Sequence, residues 1–450
     1  MNEQNASATL WPTPNRWDWA TVQDIGRVAL GRQRSPVNHS GPNMRPYVRA
    51  ANITWKGWDL SDVKEMNFDD HDFARFQLKE GDVLVNEGSG SAKEVGKPAI
   101  WRGEIEDCCF QNTLIRVQPI GCSSEYLHSY FQFCAQTERF VSSTQGVNIH
   151  HIGKEGLATF PIPVPPLPEQ RRITTKIDSL TGKSRRARDH LDHIPRLVEK
   201  YKQAVLAAAF RGDLTEGATP LVTLGSICDV RSGFAFSSTD FRSEGPVPVV
   251  RIGDISEGAV TLSETSRYLG EEFLGSAKQF IVECGDILVA LSGATTGKSG
   301  TFNLERPALL NQRVARLRID NEDDRKLVAY FVQSIAAEVL GSSYGGAQPN
   351  ISPQKLAAFR LIWPAREQRQ KIGRRIASAM HWIDRLASET TSARKLIDRL
   401  DQAVLAKAFR GELVPQDPAD EPASALLERI RAERGTAPTT KRGRRVGVGA

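Results

Sequence analysis

Pro168-Glu169-Gln170-Arg171-Arg172-Ile173 opens a stretch that closes with Gln203-Ala204-Val205-Leu206-Ala207-Ala208-Ala209-Phe210-Arg211-Gly212-Asp213-Leu214. The chain then repeats it. Glu367-Gln368-Arg369-Gln370-Lys371-Ile372 opens the second copy, and Gln402-Ala403-Val404-Leu405-Ala406-Lys407-Ala408-Phe409-Arg410-Gly411-Glu412-Leu413 closes it. In the first copy Ile173, Ile177, Leu180, Ser184, Ala187, Leu191, Ile194, Val198, Tyr201 and Val205 keep a 4-3 spacing. Ile372, Ile376, Ala379, Ile383, Leu386, Thr390, Ala393, Ile397, Leu400 and Val404 reproduce it 199 residues later. An apolar repeat averaging 3.5 residues predicts a seam along which two helices pair. It is too narrow for a helix lying alone on a globular core. A first-turn acid (Glu169, Glu367) and a closing Arg-Gly (Arg211-Gly212, Arg410-Gly411) fit a helix start and a left-handed C-cap. About 40 residues at 1.5 Å each give about 60 Å per helix. Pro195 has Arg394 as its counterpart, so a kink or break is expected in the first helix only. Antiparallel pairing sets Ser184 against Ala393 and Ala187 against Thr390, small beside small.

The segments between the helices repeat as well. Val22 to Ile25 is answered by Leu224-Gly225-Ser226-Ile227, and Tyr47 to Ile53 by Val249 to Ile255. Gly81-Asp82-Val83-Leu84-Val85, a turn into a buried strand, is answered by Gly285-Asp286-Ile287-Leu288-Val289 at an offset of 204. Asn350-Ile351 answers Asn148-Ile149 at an offset of 202, which makes Ser352-Pro353 the counterpart of His150-His151. Half the chain is thus a copy of the other half. Many short strands with one or two helices per globule predict a mixed α/β module. Beyond Leu413, a short helix is expected from Ala423 to Arg434, followed by a basic tail without a fold of its own.

Composition narrows the chemistry. No apolar run approaches the length of a membrane span, and polar Met1–Pro14 lacks a signal-peptide core, so a cytoplasmic location is expected. The six cysteines have no Cys-x-x-Cys spacing and read as reduced thiols. The net charge of +6 owes +4 to Lys441, Arg442, Arg444 and Arg445, so nucleic-acid binding requires local basic faces, as at Lys183 to Arg188. Gly293-Ala294-Thr295-Thr296-Gly297-Lys298-Ser299 resembles a phosphate-binding loop, but its glycines are one residue too close, and the next segment, Thr301 to Pro307, does not open a helix. His150-His151 has no partner at metal-ligand spacing. No nucleophile elbow, dinucleotide loop or paired carboxylates appear, so a binder without catalytic residues or metal is expected.

The four-part layout resembles the specificity subunit of type I restriction–modification systems. The likeness is carried by Pro-Pro-Leu-Pro-Glu-Gln at 165–170, the two Ala-Phe-Arg-Gly-Asp/Glu-Leu ends, and the run from Pro418 through Glu421 to Ile430. It implies a fold of two repeated mixed α/β target recognition domains separated by two long α-helices forming an antiparallel coiled coil. The expected divisions are an N-terminal arm (1–16), a first recognition domain (17–163), a central helix region (164–217), a second recognition domain (218–363), a C-terminal helix region (364–416) and a short helix with basic tail (417–450). The resemblance implies binding to double-stranded DNA with a bipartite target. It also implies partnership with two DNA-methyltransferase (M) and two restriction/translocase (R) subunits. S-adenosylmethionine, ATP and Mg would sit on those partners, and no cofactor on this chain. The rival readings are a nucleic-acid-stimulated NTPase built on the Gly-Lys-Ser loop and a coiled-coil scaffold with no DNA role. Candidate DNA contacts are polar residues of the repeated loops: Ser89, Ser91, Lys93, Gln145, Asn148 and His150, then Ser292, Thr295, Lys298, Gln348 and Asn350.

Overall fold

The computed structural model describes residues 10–141, 150–217, 219–343 and 349–436. Its two largest elements are the helices Leu167–Arg211 and Arg366–Phe409. Gly212 and Gly411 take φ of +95° and +76°, the left-handed caps expected after a basic last turn. Pro195 lies inside the first helix, which runs on past it; the break foreseen there does not occur. Pro195 is exposed. An interior proline removes one backbone bond, and on a solvated face water can satisfy the freed carbonyl.

Two compact units emerge. The first comprises the described residues up to His190 and from Ala393 onward; the second is Leu191–Ser392. Both boundaries fall inside the long helices, so each unit owns one globule, part of one helix and part of the other.

In the first unit, Asp18–Thr21 pairs antiparallel with Pro161–Val164 and fastens the two ends of the globule together. A four-stranded antiparallel sheet runs in the order Gly26–Leu30, Leu114–Pro119, Val83–Asn86, Pro98–Ile100. A three-stranded sheet places Met44–Val48 between Cys109–Phe110 and Lys64–Asn67. The helix Ser124–Gln136 supplies Tyr126, Tyr130 and Phe133 to the core. Both tyrosine hydroxyls donate to carbonyls of the proline-rich strand, at Pro163 and Pro161, each at 2.7 Å. Ile173 and Ile177 from the first long helix share this core with Val404, Leu405, Ala408 and Phe409 from the second. Residues 10–16 of the N-terminal arm are docked: Trp11 donates its indole N–H to the Phe409 carbonyl at 2.8 Å, and Ala423 N–H donates to the Arg16 carbonyl at 3.0 Å. The last described helix, Ala423–Thr436, buries Leu427 in the same core.

The second unit repeats this plan around its own core. Leu221–Thr223 pairs with Arg360–Ile362. A six-stranded sheet holds Val314–Arg318 between Asp229–Ser232 and Ile287–Ala290, and a four-stranded sheet holds Val247–Val250 beside Ala308–Leu310. Leu206 and Ala209 pack with Ile372, Ile376, Met380 and Ile383, while Leu327 of the helix Glu322–Ser334 completes the cluster.

Helix pairing is antiparallel in each unit. In the first, Arg188 reaches Asp398 and Asp401 (3.0 and 2.5 Å), while Ile173 lies with residues near 405. In the second, Tyr201 meets Trp382 at 6.2 Å and Leu206 lies with Ile372 and Ile376. The expected seam is not kept to its end. Tyr201 and Leu400 are 51% and 57% exposed; beyond them Leu206 and Ala209 are buried in the first helix, and in the second Val404 keeps its expected place while Leu405 and Ala408 are buried beside it. A straight α-helix drifts about 20° per heptad against a 3.5 repeat, so four to five heptads accumulate about one residue's 100°. The Lys183–Arg188 run also divides: Arg185 and Arg186 are exposed, but Arg188 belongs to the helix pairing.

Candidate nucleic-acid interface

The same backbone arrangement closes one edge of both globules. In the first, Arg32 N–H donates to the Phe110 carbonyl and Asn112 N–H donates back to the Arg32 carbonyl, both at 3.0 Å; in the second, Phe234 N–H donates to Leu310 (2.9 Å) and Gln312 N–H to Phe234 (3.0 Å). Gln111 N–H bonds the Val48 carbonyl as Asn311 N–H bonds Val250. Glu87 N–H takes the Thr113 carbonyl as Leu291 N–H takes Arg313, and Ile152 N–H takes Glu87 as Ile351 N–H takes Leu291. Five segments therefore converge on each edge. The pinch requires glycine just before Arg32 and Phe234: a Cβ on Gly31 would lie 2.2 Å from the Gln111 carbonyl oxygen, and one on Gly233 would lie 2.0 Å from that of Leu310.

These bonds correct the register read from sequence. Asn350 bridges Ser292, and its structural equivalent is His151, which pairs with Gly88. The true offset here is 199, not 202, so Asn148 is not the counterpart of Asn350, nor Ser352-Pro353 that of His150-His151. The helices that follow, Lys154–Ala158 and Pro353–Ala357, agree with 199. The loops preceding this ladder differ in length, and a loop absorbs an insertion that a ladder cannot.

The expected contact residues separate. Ser89 and His150 are partners across a short ladder, and Ser91 is exposed beside them, its N–H donating to the Ser89 hydroxyl at 3.2 Å. Lys93 belongs to the turn Ala92–Glu94. Ser292 and Asn350 share an open cavity of about 450 Å³ with Ser232, Leu291, Gln312 and Arg313. The hydroxyl oxygens of Ser292 and Thr295 are buried and have no hydrogen-bond partner among the described residues. Lys298 is exposed, and the Gly-Lys-Ser runs directly into the strand Ser299–Thr301. A phosphate cradle needs a helix N-terminus there, so the loop is not one. Gln145, Asn148 and Gln348 lie outside the described residues.

Sequence reasoning passed over residues on the same edges: Arg32, Arg49, Gln111 and Asn112 in the first unit, Phe234, Gln312 and Arg313 in the second. A signal existed in Gln111-Asn112 and Asn311-Gln312, amide pairs 200 residues apart. Arg32 is bound to Asp72 at 2.6 Å and to the Asn67 carbonyl, and lies over Phe68. Arg49 pairs with Asp62 at 2.6 Å, and Lys64 together with Arg49 holds that carboxyl below its ordinary range. Asp69, His71 and Asp72 gather closely enough for a metal. Asp69, however, caps its helix by accepting from Asp72 N–H at 2.7 Å, and Asp72 is engaged by Arg32, which accounts for the cluster without an ion. Burial pushes the thiols of Cys108, Cys109, Cys122, Cys134 and Cys228 up to about 12, so none is a ready nucleophile at neutral pH.

Residues 14–190 and again 220–397 match the sequence model of the type I restriction modification DNA specificity domain. The chain belongs to that family. Each match takes one globule together with the first part of the helix that follows it, so the family's domain recurs with the repeat. The type I restriction enzyme StySPI specificity subunit of Salmonella potsdam is 26% identical over 96% of this chain and 98% of its own length. The EcoKI specificity subunit of Escherichia coli K12 is 25% identical over the same shares. The relatives are recognition components of restriction enzymes, and this chain is likewise a non-catalytic specificity subunit. In fold it resembles a chain solved in work on assembly of the type I R-M system (TM-score 0.71, 20% identity, 90% of this chain and 100% of that one). It also resembles the HsdS subunit of Thermoanaerobacter tengcongensis (TM-score 0.59, 20% identity, 90% and 99%). Among the described residues no helix is long and apolar enough to cross a membrane.

Proposed function

We propose that this chain reads a bipartite double-stranded DNA site in the cytoplasm, taking one half-site on the loop edge of each globule. It carries two methyltransferase and two restriction–translocase subunits to that site. S-adenosylmethionine, ATP and Mg serve those partners. The observation that supports this reading is one edge built twice with different side chains. The backbone bonds repeat, while Arg32 becomes Phe234, Thr113 becomes Arg313 and His151 becomes Asn350. A constant frame with variable side chains suits two readers of unlike sequences, because base edges are distinguished by side-chain chemistry and backbone contacts carry no sequence. Ser89, Ser91, Lys93 and His150 are proposed contacts on one edge, and Ser292, Lys298 and Asn350 on the other.

The test is a replacement of residues 218–363 by the equivalent segment of a relative, followed by genome-wide mapping of methylated sites. One half of the methylated sequence should change and the other persist. Both halves changing together, or neither, would defeat the reading.

A further inference from the structure

We infer that Phe234 and Gln312 together read a single A·T base pair in the half-site of the second globule, with Phe234 on the thymine methyl and Gln312 on the adenine edge. The inference rests on the DNA-reading role proposed above for that edge. Phe234 is 49% exposed, although a phenyl ring gains nothing from water. It is nonetheless held. Phe236 meets it edge-on at 5.2 Å and Phe280 at a tilt at 5.4 Å, and Phe236 is itself buried. The backbone of Phe234 is fixed on both sides, N–H to Leu310 and carbonyl from Gln312. A ring supported on one side and bare on the other is a rigid apolar contact.

In a duplex the base faces are stacked and closed. The apolar group displayed on a base edge in the major groove is the thymine methyl, and the group an amide side chain recognises in two-point fashion is adenine N6/N7. One A·T pair presents both side by side. Gln312 is exposed and is one backbone hydrogen bond from Phe234, so apolar and amide groups occupy neighbouring positions on one edge. The first globule has no equivalent. Its Arg32 stands in the place of Phe234 with its guanidinium committed to Asp72 and Asn67, and Asn112 beside it is half-buried.

The test uses the complete complex with its methyltransferase subunits and duplexes carrying the site found by methylation mapping. Uracil is substituted for each thymine of the second half-site in turn, which removes only a methyl group and leaves the protein unaltered. At one position binding should weaken roughly fourfold, the worth of one buried methyl-sized group. Phe234→Ala should bind the thymine duplex as weakly as the unaltered complex binds uracil, and should no longer distinguish the two. Phe234→Leu should retain most of the preference. Gln312→Ala should lower discrimination between A·T and G·C at that same pair by about tenfold. Equal binding of thymine and uracil throughout the second half-site, or a second half-site without an A·T pair, overturns the inference and leaves the reading of DNA by this globule standing. That reading fails separately, if exchange of residues 218–363 leaves the half-site unchanged.

Discussion

Phe409→Ala should destabilise the first unit far more than Phe210→Ala destabilises the second, although the repeat gives the two residues the same place. Phe409 is fully buried, with ring centroids 5.5, 5.1 and 5.4 Å from Tyr126, Tyr130 and Phe133. Phe210 is only half-buried and meets Phe331 at 5.2 Å. Truncating a buried phenylalanine costs about 3–5 kcal/mol when its surroundings cannot collapse into the space. Three aromatic side chains, two of them tethered through their hydroxyls to Pro163 and Pro161, cannot collapse. Half-burial scales the cost at Phe210 to about 2 kcal/mol. At roughly 2–4 °C per kcal/mol for a unit of this size, Phe409→Ala lowers the first unit's transition by about 6–20 °C. Urea unfolding followed by tryptophan fluorescence is suited to the measurement, because Trp11 bonds the Phe409 carbonyl and meets Trp19 edge to face at 5.0 Å. A loss below about 1 kcal/mol, or equal losses in the two variants, would refute the argument that this ring closes the first unit. In cells, methylation should become insensitive to the first half-site before the second.

Two further outcomes rest on particular contacts. Arg188→Ala should cost about 1 kcal/mol in urea unfolding, since its two ion pairs are partly solvated, whereas Arg185→Ala and Arg186→Ala, both exposed, should each stay within about 0.5 kcal/mol; equal effects would mean that Arg188 does not join the helices. Burial, with the Arg102 charge nearby, holds the His128 imidazole down to about 4, against about 6.5 when unfolded. Between those values the unfolded chain binds more protons, so stability is fully present above pH 6.5 and is lost as pH falls towards 4, by up to about 3 kcal/mol; His128→Gln should flatten that part of the stability profile, and an unchanged profile would count against the assignment.

The helices were the most legible part of the chain because every turn states its period. Their glycine caps were legible for the same local reason, and so were the Gly81-Asp82 and Gly285-Asp286 turns. In those turns each carboxylate accepts the backbone N–H three residues back, from Lys79 at 3.0 Å and Glu283 at 2.8 Å. The drift at Tyr201 and Leu400 was not legible, since a spacing pattern does not say whether a helix supercoils. At the candidate interface, loop polarity pointed to Ser89, His150, Ser292 and Asn350, which the fold brings together as two pairs. The exposure of Phe234 on that edge was not legible, because a phenylalanine looks, in sequence, like one more core residue. The misplaced register at His151 has a similar cause: equivalence there is fixed by hydrogen bonds between distant segments, and an Asn-Ile that recurs nearby by chance outweighs them on paper.

The docking of Phe409 and of helix Ala423–Thr436 on the first globule also sets an order of events on the ribosome. The second unit is one uninterrupted stretch, Leu191–Ser392, and everything it packs on has been synthesised by its end. The first unit waits. Its globule emerges early, but the side of Ser124–Gln136 that Phe409 covers stays open until roughly 270 more residues have been added, about 14–55 s at ordinary elongation rates. The first globule to be translated is thus the last to be completed. A nascent chain ending before Phe409 lacks the ring that meets Tyr126, Tyr130 and Phe133 and leaves that side of the three aromatics open to water.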